Sequence, residues 1–541
     1  MDFRRRPRGR VLAVLAVAVL VLAGAAVALA AARTPAPLIV RSLRIPVTDG
    51  PRGTDHVLLD ATFYTPPGHG RVPAILLAHG FGETKDAVAP EAEQLAQAGF
   101  AVLTWSARGF GASTGQIALD SPDYEVKDVE QLVSWLARQP RVLLDRPGDP
   151  RVGIAGASYG GALALLAAAY DHRIDAIVPQ STWYNLATAL FPDAAGGSPA
   201  AGVFKKQWAG LLFTAGSAGS AAGAVTGAGG SAAAGGVTGA GASAAAAHSV
   251  QQALCGRFLP AVCAMYQQVA TLGRATPQAV ALLLRSSPAS VASRIHAPTL
   301  LIQGETDSLF GLDQANSNFQ ALRHNGTPVD MVWFAGGHDG GNQETSRITQ
   351  LTVQWFDRWL KTARRPGGGR SGTGSSGAGQ GGNGDSGTGQ PGFAVSRDLG
   401  YDPNSGQQVL GVATAPAYPG LGGTRHAVLP LSGRVQTVLN PPGGAPPSMS
   451  VLPGLGGVPV DIPGQNAAFT SAPLAAPLQV TGSPVVRIRV SGAADITLFA
   501  KLYDVDQAGT VTLPFSLAAP LRVTGAARGA TVTVTLPAID Y

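Results

Sequence analysis

The segment at residues 156–161, Gly-Ala-Ser-Tyr-Gly-Gly, constrains the fold of this chain more than any other. It follows a short apolar stretch at 151–155 and precedes an Ala/Leu-rich stretch at 161–170, so Ser158 is predicted to lie where a strand turns sharply into a helix. The flanking glycines allow the strained backbone and the close helix packing that such a turn needs. The pattern is typical of a nucleophile elbow, which exposes a serine hydroxyl above a sheet. An ordinary strand-to-helix turn is the alternative, because glycine and serine are abundant here.

The length and charge of the chain limit the classes of protein to which it can belong. A chain of 541 residues is long for one domain, and two folded domains with connectors are expected. The formal net charge is +6, but five arginines and one aspartate within residues 1–10 contribute +4 of it, which leaves +2 for the remainder. This nearly neutral remainder gives no electrostatic argument for nucleic-acid binding.

The N-terminal segment predicts export. Residues 11–32 are 22 residues without a charge, preceded by the arginine cluster and ending in Ala-x-Ala patterns. This is the composition of a signal peptide, which we place within residues 1–34. The apolar run is also long enough to span a bilayer, so an uncleaved membrane anchor is the alternative. In either case the rest of the chain is expected to be extracellular or at the cell surface.

Only two cysteines occur, Cys255 and Cys263. An even number of cysteines in an exported protein suggests a disulfide, and a pair of buried thiols is the alternative. No second pair of cysteines or histidines occurs at ligand spacing, so we predict neither a metal site nor a cofactor.

Strand and helix patterns alternate in two parts of the chain, residues 35–190 and 291–362. Two strand-like stretches, 38–47 and 56–64, are separated by a turn signal and predict an opening hairpin. Residues 73–78 form a short continuous apolar run of the kind found in strands that are buried on both faces. The alternation that follows predicts a mostly parallel, doubly wound sheet of the α/β class.

The remaining stretches are predicted to be a cap, a linker and a second domain. Residues 191–290 interrupt the alternation and include a low-complexity tract, 215–247, that is too poor in large apolar side chains to order itself. The helical stretches around this tract predict a cap over the site. Residues 363–392 are a Gly/Ser-rich linker. Residues 393–541 contain short strands and Pro/Gly turns, which predict an all-β domain.

A serine nucleophile needs a histidine as general base and a carboxylate that orients the histidine. His338 follows the last strand pattern of the sheet, and Asp307 follows the preceding one. The order Ser158, Asp307, His338 is the order that this type of elbow requires. Glu305 and Asp313 are competing candidates for the carboxylate.

The oxyanion of a tetrahedral intermediate needs two hydrogen-bond donors. The backbone N–H of Tyr159, directly after the nucleophile, is predicted to be one of them. The loop after the third strand, at residues 79–81, is predicted to supply the other through the backbone N–H of Phe81.

Three aromatic residues are candidates for the substrate pocket. Trp183, Tyr184 and Phe310 are predicted to lie past strand ends at the same sheet edge as Ser158 and Asp307, where ligands of open α/β sheets bind. They would suit an apolar acyl group or a proline ring. The alternative is that they anchor the cap.

The sequence resembles α/β-hydrolases of the Xaa-Pro dipeptidyl-peptidase-like group, which includes cocaine-esterase-like acyl esterases. The motifs that carry the resemblance lie at residues 156–161, 303–307 and 336–338. Further along, residues 485–490 and 498–505 resemble the jelly-roll, galactose-binding-like C-terminal domain of that group. The resemblance implies an α/β-hydrolase fold with a helical cap insertion, followed by an all-β jelly-roll domain.

Two features depart from the pattern of that group. The acyl esterases usually place a tyrosine hydroxyl in the oxyanion hole, whereas Phe81 stands at the matching position here. The sequence also ends at Tyr541, soon after a strand pattern, so the β domain is expected to lack strands.

The expected function is that of an exported serine hydrolase that cleaves a small ester or peptide through an acyl-enzyme on Ser158. Dipeptidyl-peptidase and acyl esterase both stay open, and a peptidase would need a carboxylate for the free amino terminus of its substrate. A non-catalytic cell-surface binding protein is the alternative from another class, with residues 393–541 contacting carbohydrate or cell wall. The presence of all three candidate catalytic residues, in order, argues against that alternative.

Overall fold

The computed structural model describes most of the chain: residues 37–217, 255–362, 391–403, 405, 408–423, 425–441, 448–449, 458–459 and 461–541. The predicted export segment, nearly all of the low-complexity tract and all but the last two residues of the predicted linker lie outside these ranges. Within these ranges, no helix is long and apolar enough to cross a membrane.

A ten-stranded sheet forms the centre of the fold. Its strands are β1 (Ile39–Asp49), β2 (Asp55–Thr65), β3 (Ala74–Ala78), β4 (Ala101–Trp105), β5 (Val152–Ala157), β6 (Ile174–Gln180), β7 (Thr299–Gly304), β8 (Val329–Phe334), β9 (Phe393–Tyr401) and β10 (Gln408–Ala415). The strand order is β1-β2-β4-β3-β5-β6-β7-β8-β9-β10. Only the pairs β1/β2, β2/β4 and β9/β10 are antiparallel. The prediction of a mostly parallel α/β sheet that opens with a hairpin is therefore confirmed.

Helices cover both faces of the sheet. One face packs against α2 (Glu125–Leu136), α3 (Tyr159–Tyr170) and α8 (Leu312–His324), and the other against α1 (Ala89–Gln97) and α9 (Thr345–Phe356). A π-helical turn, Asp357–Lys361, extends α9. Because helices lie on both sides, every residue of the central strand β3 is buried.

The pattern of apolar residues in α2 explains its orientation. Its buried aliphatic residues recur at three- and four-residue spacing and form one face toward the sheet: Val126, Val129, Leu132, Val133 and Leu136. In contrast, α3 is buried on nearly all sides, and its sequence is accordingly composed of alanine, leucine and glycine between two tyrosines.

The predicted domain boundary at residue 393 is wrong for the first two strands after it. Strand β9 pairs in parallel with β8, and β10 pairs with β9, so both extend the large sheet. Phe393, Ala394 and Val395 are buried because β9 lies between β8 and β10 and side chains pack against both of its faces. The apolar run at these residues predicts a strand but does not say which sheet the strand joins.

The described part of the cap contains four helices and two short 3-10 turns. The helices are α4 (Leu186–Leu190), α5 (Lys206–Ser217), α6 (Pro260–Leu272) and α7 (Pro277–Arg285), and the turns are Pro288–Ser290 and Ala292–Arg294. The buried side chains of the cap form one apolar cluster with Tyr159 and Phe110 of the core. The cap therefore covers the start of α3, directly after the candidate nucleophile Ser158.

The C-terminal part of the chain is all-β, as predicted. Its longest strands are β11 (Val485–Val490), β12 (Asp495–Ala500), β13 (Ala519–Thr524) and β14 (Ala530–Thr535), with β11 paired to β14 and β12 to β13. Shorter pairs occur throughout the chain: Leu144–Arg146 with Asp149–Pro150, Gly336–Gly337 with Gly340–Gly341, Leu431–Ser432 with Thr470–Ser471, Ser448–Met449 with Val458–Pro459, Thr481–Gly482 with Ile539–Asp540, and Asp504–Val505 with Val511–Thr512. Two 3-10 turns, Pro514–Ser516 and Ala526–Arg528, complete the region.

The β domain contacts the cap through backbone hydrogen bonds. The Ala194 N–H donates to the carbonyl oxygen of Pro520 at 2.8 Å, and the Thr535 N–H donates to the carbonyl oxygen of Ala194 at 2.9 Å. The segment that follows α4 is thereby held by β13 and β14.

Glu305, directly after β7, lies in a buried polar region where the core meets the last strand of the chain. Its side chain is 1% exposed. Nearby, Arg397 donates to Asp540 at 2.8 Å. Burial, together with the carboxylates of Asp540 and Glu344, raises the pKa of Glu305 to about 9, although Arg397 opposes the shift. Glu305 is therefore a neutral acid near pH 7.

The neutral state of Glu305 predicts a loss of stability toward alkaline pH. An unfolded glutamic acid ionises near pH 4.3, whereas Glu305 keeps its proton in the folded chain up to about pH 9. Its contribution to stability is fully present below the unfolded pKa and is lost as the pH rises through the folded pKa. We expect the free energy of unfolding of Glu305→Gln, measured with urea, to fall less than that of the wild type as the pH rises from about 4.3 to about 9. Glu93→Gln, which changes an exposed residue of α1, is the control. Identical pH dependence in wild type and Glu305→Gln would contradict the prediction.

Candidate active site

Ser158 lies at the sharp turn between β5 and α3, as the sequence predicts. Its backbone has φ +55° and ψ −114°, a conformation that is costly for a residue with a Cβ. The Ser158 N–H donates to the carbonyl oxygen of Gln180 at 2.9 Å, which holds this conformation. A Cβ on Gly156 would lie 2.8 Å from the carbonyl oxygen of Ala78, and a Cβ on Gly160 would lie 2.6 Å from it. The turn therefore requires both glycines.

The structure brings Ser158, His338 and Asp307 into one line of hydrogen bonds. His338 Nε2 lies 2.9 Å from Ser158 Oγ, and His338 Nδ1 lies 2.8 Å from Asp307 Oδ2. A carboxylate can only accept, so Nδ1 carries the proton that it donates to Asp307. Nε2 is then free to accept the proton of the serine hydroxyl.

Asp307 is held firmly by its own loop. Its Oδ1 accepts the backbone N–H groups of Leu309 and Phe310 at 3.1 and 2.8 Å, and its Oδ2 also accepts from Gln303 Nε2 at 3.3 Å. Neither of the competing carboxylates takes this place. Glu305 lies in the buried region beside Asp540, and Asp313 accepts a hydrogen bond from Gln314.

The charges around His338 favour its protonated form. Burial by itself would lower the pKa of His338, but the carboxylate of Asp307 and its hydrogen bond to Nδ1, followed by the charge of Asp339, raise it. Lys205 acts in the opposite direction, and the net pKa is raised. An imidazolium formed after proton transfer from a hydroxyl would thus be stabilised.

A second histidine near the site, His79, has a structural role, because both of its ring nitrogens bond to the backbone. Its Nδ1 donates to the carbonyl oxygen of Gly80 at 2.7 Å, and its Nε2 accepts the N–H of Ala107 at 2.9 Å. Burial lowers the pKa of His79 to about 4. A neutral imidazole with both nitrogens engaged shapes the loop that carries Phe81 and is not available as a base.

Phe81 and Tyr159, whose backbone N–H groups are the predicted oxyanion donors, are neighbours. Their rings meet edge to face with centroids 5.3 Å apart. Within the described part of the chain, neither backbone N–H donates a hydrogen bond. Both N–H groups are therefore free to donate to a ligand, and their role as oxyanion donors stays a prediction.

The three predicted pocket residues occupy different environments. Trp183 is 3% exposed, and its indole N–H donates to the carbonyl oxygen of Ser286 in the cap at 2.8 Å. Phe310 is also buried and lies between Trp183, at 5.1 Å, and the edge of His338, at 5.3 Å. Tyr184 is half-buried, and its N–H donates to Gln314 at 3.1 Å. Trp183 thus has the contacts of an anchor, while Phe310 contacts the imidazole itself.

Two cap residues that the sequence analysis did not identify approach His338. The half-buried indole ring of Trp208 lies edge-on to the His338 ring at 6.0 Å, and its N–H donates to Ser308 Oγ at 3.0 Å. Lys205 Nζ donates to the carbonyl oxygen of Leu309 at 2.8 Å, within the loop that carries Asp307. The sequence signal that could have identified Trp208 is its position as an aromatic residue within a predicted helical insertion. Nothing in the sequence around Lys205 indicates its contact.

Cys255 and Cys263 form a disulfide, so the alternative of two thiols is excluded. The disulfide closes a loop that contains Phe258, whose ring stacks on Phe81 at 6.0 Å. The backbone of Phe258 also forms a bridge with Ile117 of the core. The disulfide therefore fixes the part of the cap that covers the predicted oxyanion loop. Among the described residues, no group of three or more His, Cys, Asp or Glu could hold a metal ion.

Comparison with protein families gives two matches along the chain. The model of the X-Pro dipeptidyl-peptidase (S15 family) matches residues 55–340. The model of the X-Pro dipeptidyl-peptidase C-terminal non-catalytic domain matches residues 427–532. The first match covers the elbow, the candidate triad and the cap, and the second covers most of the β domain.

Individual relatives match shorter stretches. An uncharacterized 31.7 kDa protein in the traX-finO intergenic region of Escherichia coli is 34% identical over 131 residues, which is 24% of this chain and 44% of that protein. The thiohydrolase aneE of Aspergillus aculeatus is 33% identical over 114 residues, 20% of this chain and 34% of that protein. The chain thus spans less than half the length of these curated relatives.

A solved structure matches almost the whole chain. The aminopeptidase from the marine sediment archaeon Thaumarchaeota archaeon superposes with a TM-score of 0.57 at 14% sequence identity, covering 94% of this chain and 88% of that one. At this identity the likeness shows a shared fold only. The fold that is shared extends over both the core and the β domain.

The contacts of Trp183 predict that removing its indole lowers stability. Those of Trp208 predict that removing its indole lowers activity on bulky substrates. Trp183→Ala leaves a cavity beside Tyr159 and Phe310, so the free energy of unfolding should fall by about 3–5 kcal/mol. Any loss of activity should then be equal for large and small substrates. Trp208→Ala should lower kcat/KM for bulky substrates more than for acetyl esters, with a nearly unchanged Tm, because that indole is half-buried and faces His338. Selective loss of bulky substrates in Trp183→Ala, at unchanged Tm, would instead make Trp183 a pocket residue.

Proposed function

Since the chain belongs to the S15 family of X-Pro dipeptidyl-peptidases, a family of serine hydrolases, we propose that Ser158 is its nucleophile and that it cleaves amide or ester bonds through an acyl-enzyme. The observation that carries the proposal is the hydrogen-bonded line from Ser158 Oγ through His338 to Asp307, at 2.9 and 2.8 Å. A nucleophile, a base and a group that orients the base are the three parts that acyl transfer requires.

In the proposed mechanism, Ser158 Oγ attacks the carbonyl carbon of the substrate while its proton moves to His338 Nε2. Asp307 stabilises the imidazolium that forms. The carbonyl oxygen becomes an oxyanion, which accepts hydrogen bonds from the backbone N–H groups of Phe81 and Tyr159. The leaving nitrogen or oxygen then takes the proton from Nε2 and departs. Water repeats the sequence on the acyl-enzyme and releases the acid.

A dipeptidyl-peptidase is the first candidate for the finer activity, because both family matches are to X-Pro dipeptidyl-peptidases. An acyl esterase is the second, and a specific observation favours it. Asp307 and Asp339, the two carboxylates whose charges raise the pKa of His338, both accept hydrogen bonds from the 307–310 loop. Neither offers a free carboxylate for the amino terminus of a peptide, whereas an ester substrate needs none.

Labelling with a fluorophosphonate followed by a substrate panel tests the proposal. Ser158→Ala should abolish labelling and turnover while leaving Tm close to that of the wild type. Turnover of Gly-Pro or Ala-Pro anilides would identify a dipeptidyl-peptidase, and turnover of p-nitrophenyl esters alone would identify an acyl esterase. Absence of labelling in the wild type would favour the non-catalytic binding protein instead.

Two matched variants test the choice of the acid. Asp307→Asn should lower kcat by about 10³-fold or more, because the histidine is then held in the wrong tautomer. Glu305→Gln, two residues away, should keep nearly full activity. The reverse result would make Glu305 the acid.

We also propose that the chain is exported. The uncharged segment at residues 11–32 and the Cys255–Cys263 disulfide support this independently, since disulfides persist in oxidising compartments. Cell fractionation separates the two forms of export. Release into the medium indicates a cleaved signal, retention in the membrane indicates an anchor, and recovery in the cytoplasm would refute export. The contact of the β domain with carbohydrate or cell wall stays a prediction.

A further inference from the structure

The side chain of Tyr159 is fixed by contacts of both its ring and its hydroxyl. The ring is buried against Phe81 and, at 5.8 Å, Phe110. Its hydroxyl donates to Glu125 Oε1 at 3.1 Å and accepts the backbone N–H of Asp120 at 3.2 Å. Both hydrogen-bonding functions of the hydroxyl are therefore used, far from solvent.

Glu125 is the centre of this arrangement. It is the first residue of α2 and is buried. Besides the Tyr159 hydroxyl, its carboxylate accepts the backbone N–H of Ala118 at 2.6 Å and that of Ser121 at 3.0 Å. One carboxylate thus connects the start of α2, the loop at residues 118–121 and the residue that follows the nucleophile.

The loop that Glu125 binds is strained. Leu119 and Asp120 have φ values of +58° and +55°, which residues with a Cβ rarely adopt. The side chain of Asp120 is 0% exposed, and neither of its carboxyl oxygens has a hydrogen-bond partner within the described residues. Burial and the charge of Glu125 raise the pKa of Asp120 well above its usual range. Glu125, which accepts the N–H groups of Ala118 and Ser121 on either side of these two residues, is therefore the acceptor that holds the loop together.

Tyr159 is the first residue of α3, so its backbone N–H has no partner within the helix. The orientation of the peptide group that joins Ser158 and Tyr159 is fixed on one side by the turn at Ser158. On the other side it is fixed by the hydrogen-bonded side chain of Tyr159. The edge-to-face contact with Phe81 also connects the two residues whose N–H groups are assigned to the oxyanion.

We propose that Glu125 is a positioning residue, which acts through the Tyr159 hydroxyl to hold the Tyr159 N–H in line with the developing oxyanion. The proposal rests on the assignment of Ser158 as the nucleophile. An oxyanion donor is effective only when it is placed within hydrogen-bond distance before charge develops. Small displacements of such a group cost large factors in rate.

Tyr159→Phe tests the proposal, because it removes the hydroxyl and leaves the ring. The second-order rate constant of fluorophosphonate labelling, expressed per folded protein, should fall about 10-fold. The Kd for butylboronic acid, measured by protection from labelling, should rise by a similar factor, because the tetrahedral boronate needs the same donor. Both measurements report on the oxyanion position and require no knowledge of the natural substrate.

Tyr418→Phe is the matched control. Tyr418 is also buried, its hydroxyl has no hydrogen-bond partner among the described residues, and its ring packs against Phe319, Trp333 and Phe393. Labelling and boronate binding should be unchanged in this variant.

Unchanged labelling and unchanged boronate affinity in folded Tyr159→Phe would overturn the proposal and reduce Glu125 to a structural role. If Tyr159→Phe does not fold, Glu125→Gln is measured in the same assays, and a wild-type rate would overturn the proposal equally. Labelling that persists in Ser158→Ala would instead refute the nucleophile assignment. The two failures are therefore distinguishable.

Discussion

The left-handed backbone of Ser158 is the constraint on which the rest of the site depends. A residue with a Cβ in this conformation is strained by about 1–3 kcal/mol, so its surroundings must hold it. The Ser158 N–H bonds to Gln180, and the Thr182 hydroxyl donates to the carbonyl oxygen of Ser158 at 2.8 Å. Both contacts come from the end of β6 and the loop after it. The serine can be exposed to a substrate only because the largely buried parallel pair of β5 and β6 fixes the two strand ends next to each other.

The same sheet edge gives different surroundings to two carboxyl groups that lie two residues apart. Asp307 accepts hydrogen bonds from two backbone N–H groups, Gln303 and His338, so both of its oxygens have donors. Burial, together with the carboxylates of Asp540 and Glu344, raises the pKa of Glu305 to about 9. Residue type does not distinguish the two candidates for the acid. The hydrogen-bond donors that the loop and His338 direct at Asp307 distinguish it from Glu305.

Local sequence was sufficient to predict the elbow and the residues aligned with it. The glycines around Ser158 indicate a sharp turn, and the positions of Asp307 and His338 after successive strand patterns place them at one sheet edge. Local sequence was insufficient for contacts between distant segments. Trp208 reaches Ser308 across 100 residues, and Glu125 reaches Tyr159 across 34, with no periodicity to indicate either contact. The first two strands after residue 393 are predicted in the wrong domain for a similar reason, since an apolar run does not specify its partner.

Segments outside the α/β core contact the loops that carry the candidate site residues. The segment after α4 is held by the β domain through Ala194 and leads directly to Lys205, which bonds to the loop of Asp307. Elsewhere in the cap, the disulfide loop places Phe258 against Phe81. The β domain thus contacts the segment that leads to Lys205, and the disulfide loop contacts the predicted oxyanion loop. Because the core carries the hydrogen-bonded line from Ser158 to Asp307 and the cap contacts it through Lys205 and Trp208, we expect substitutions in the cap to change substrate preference without altering that line.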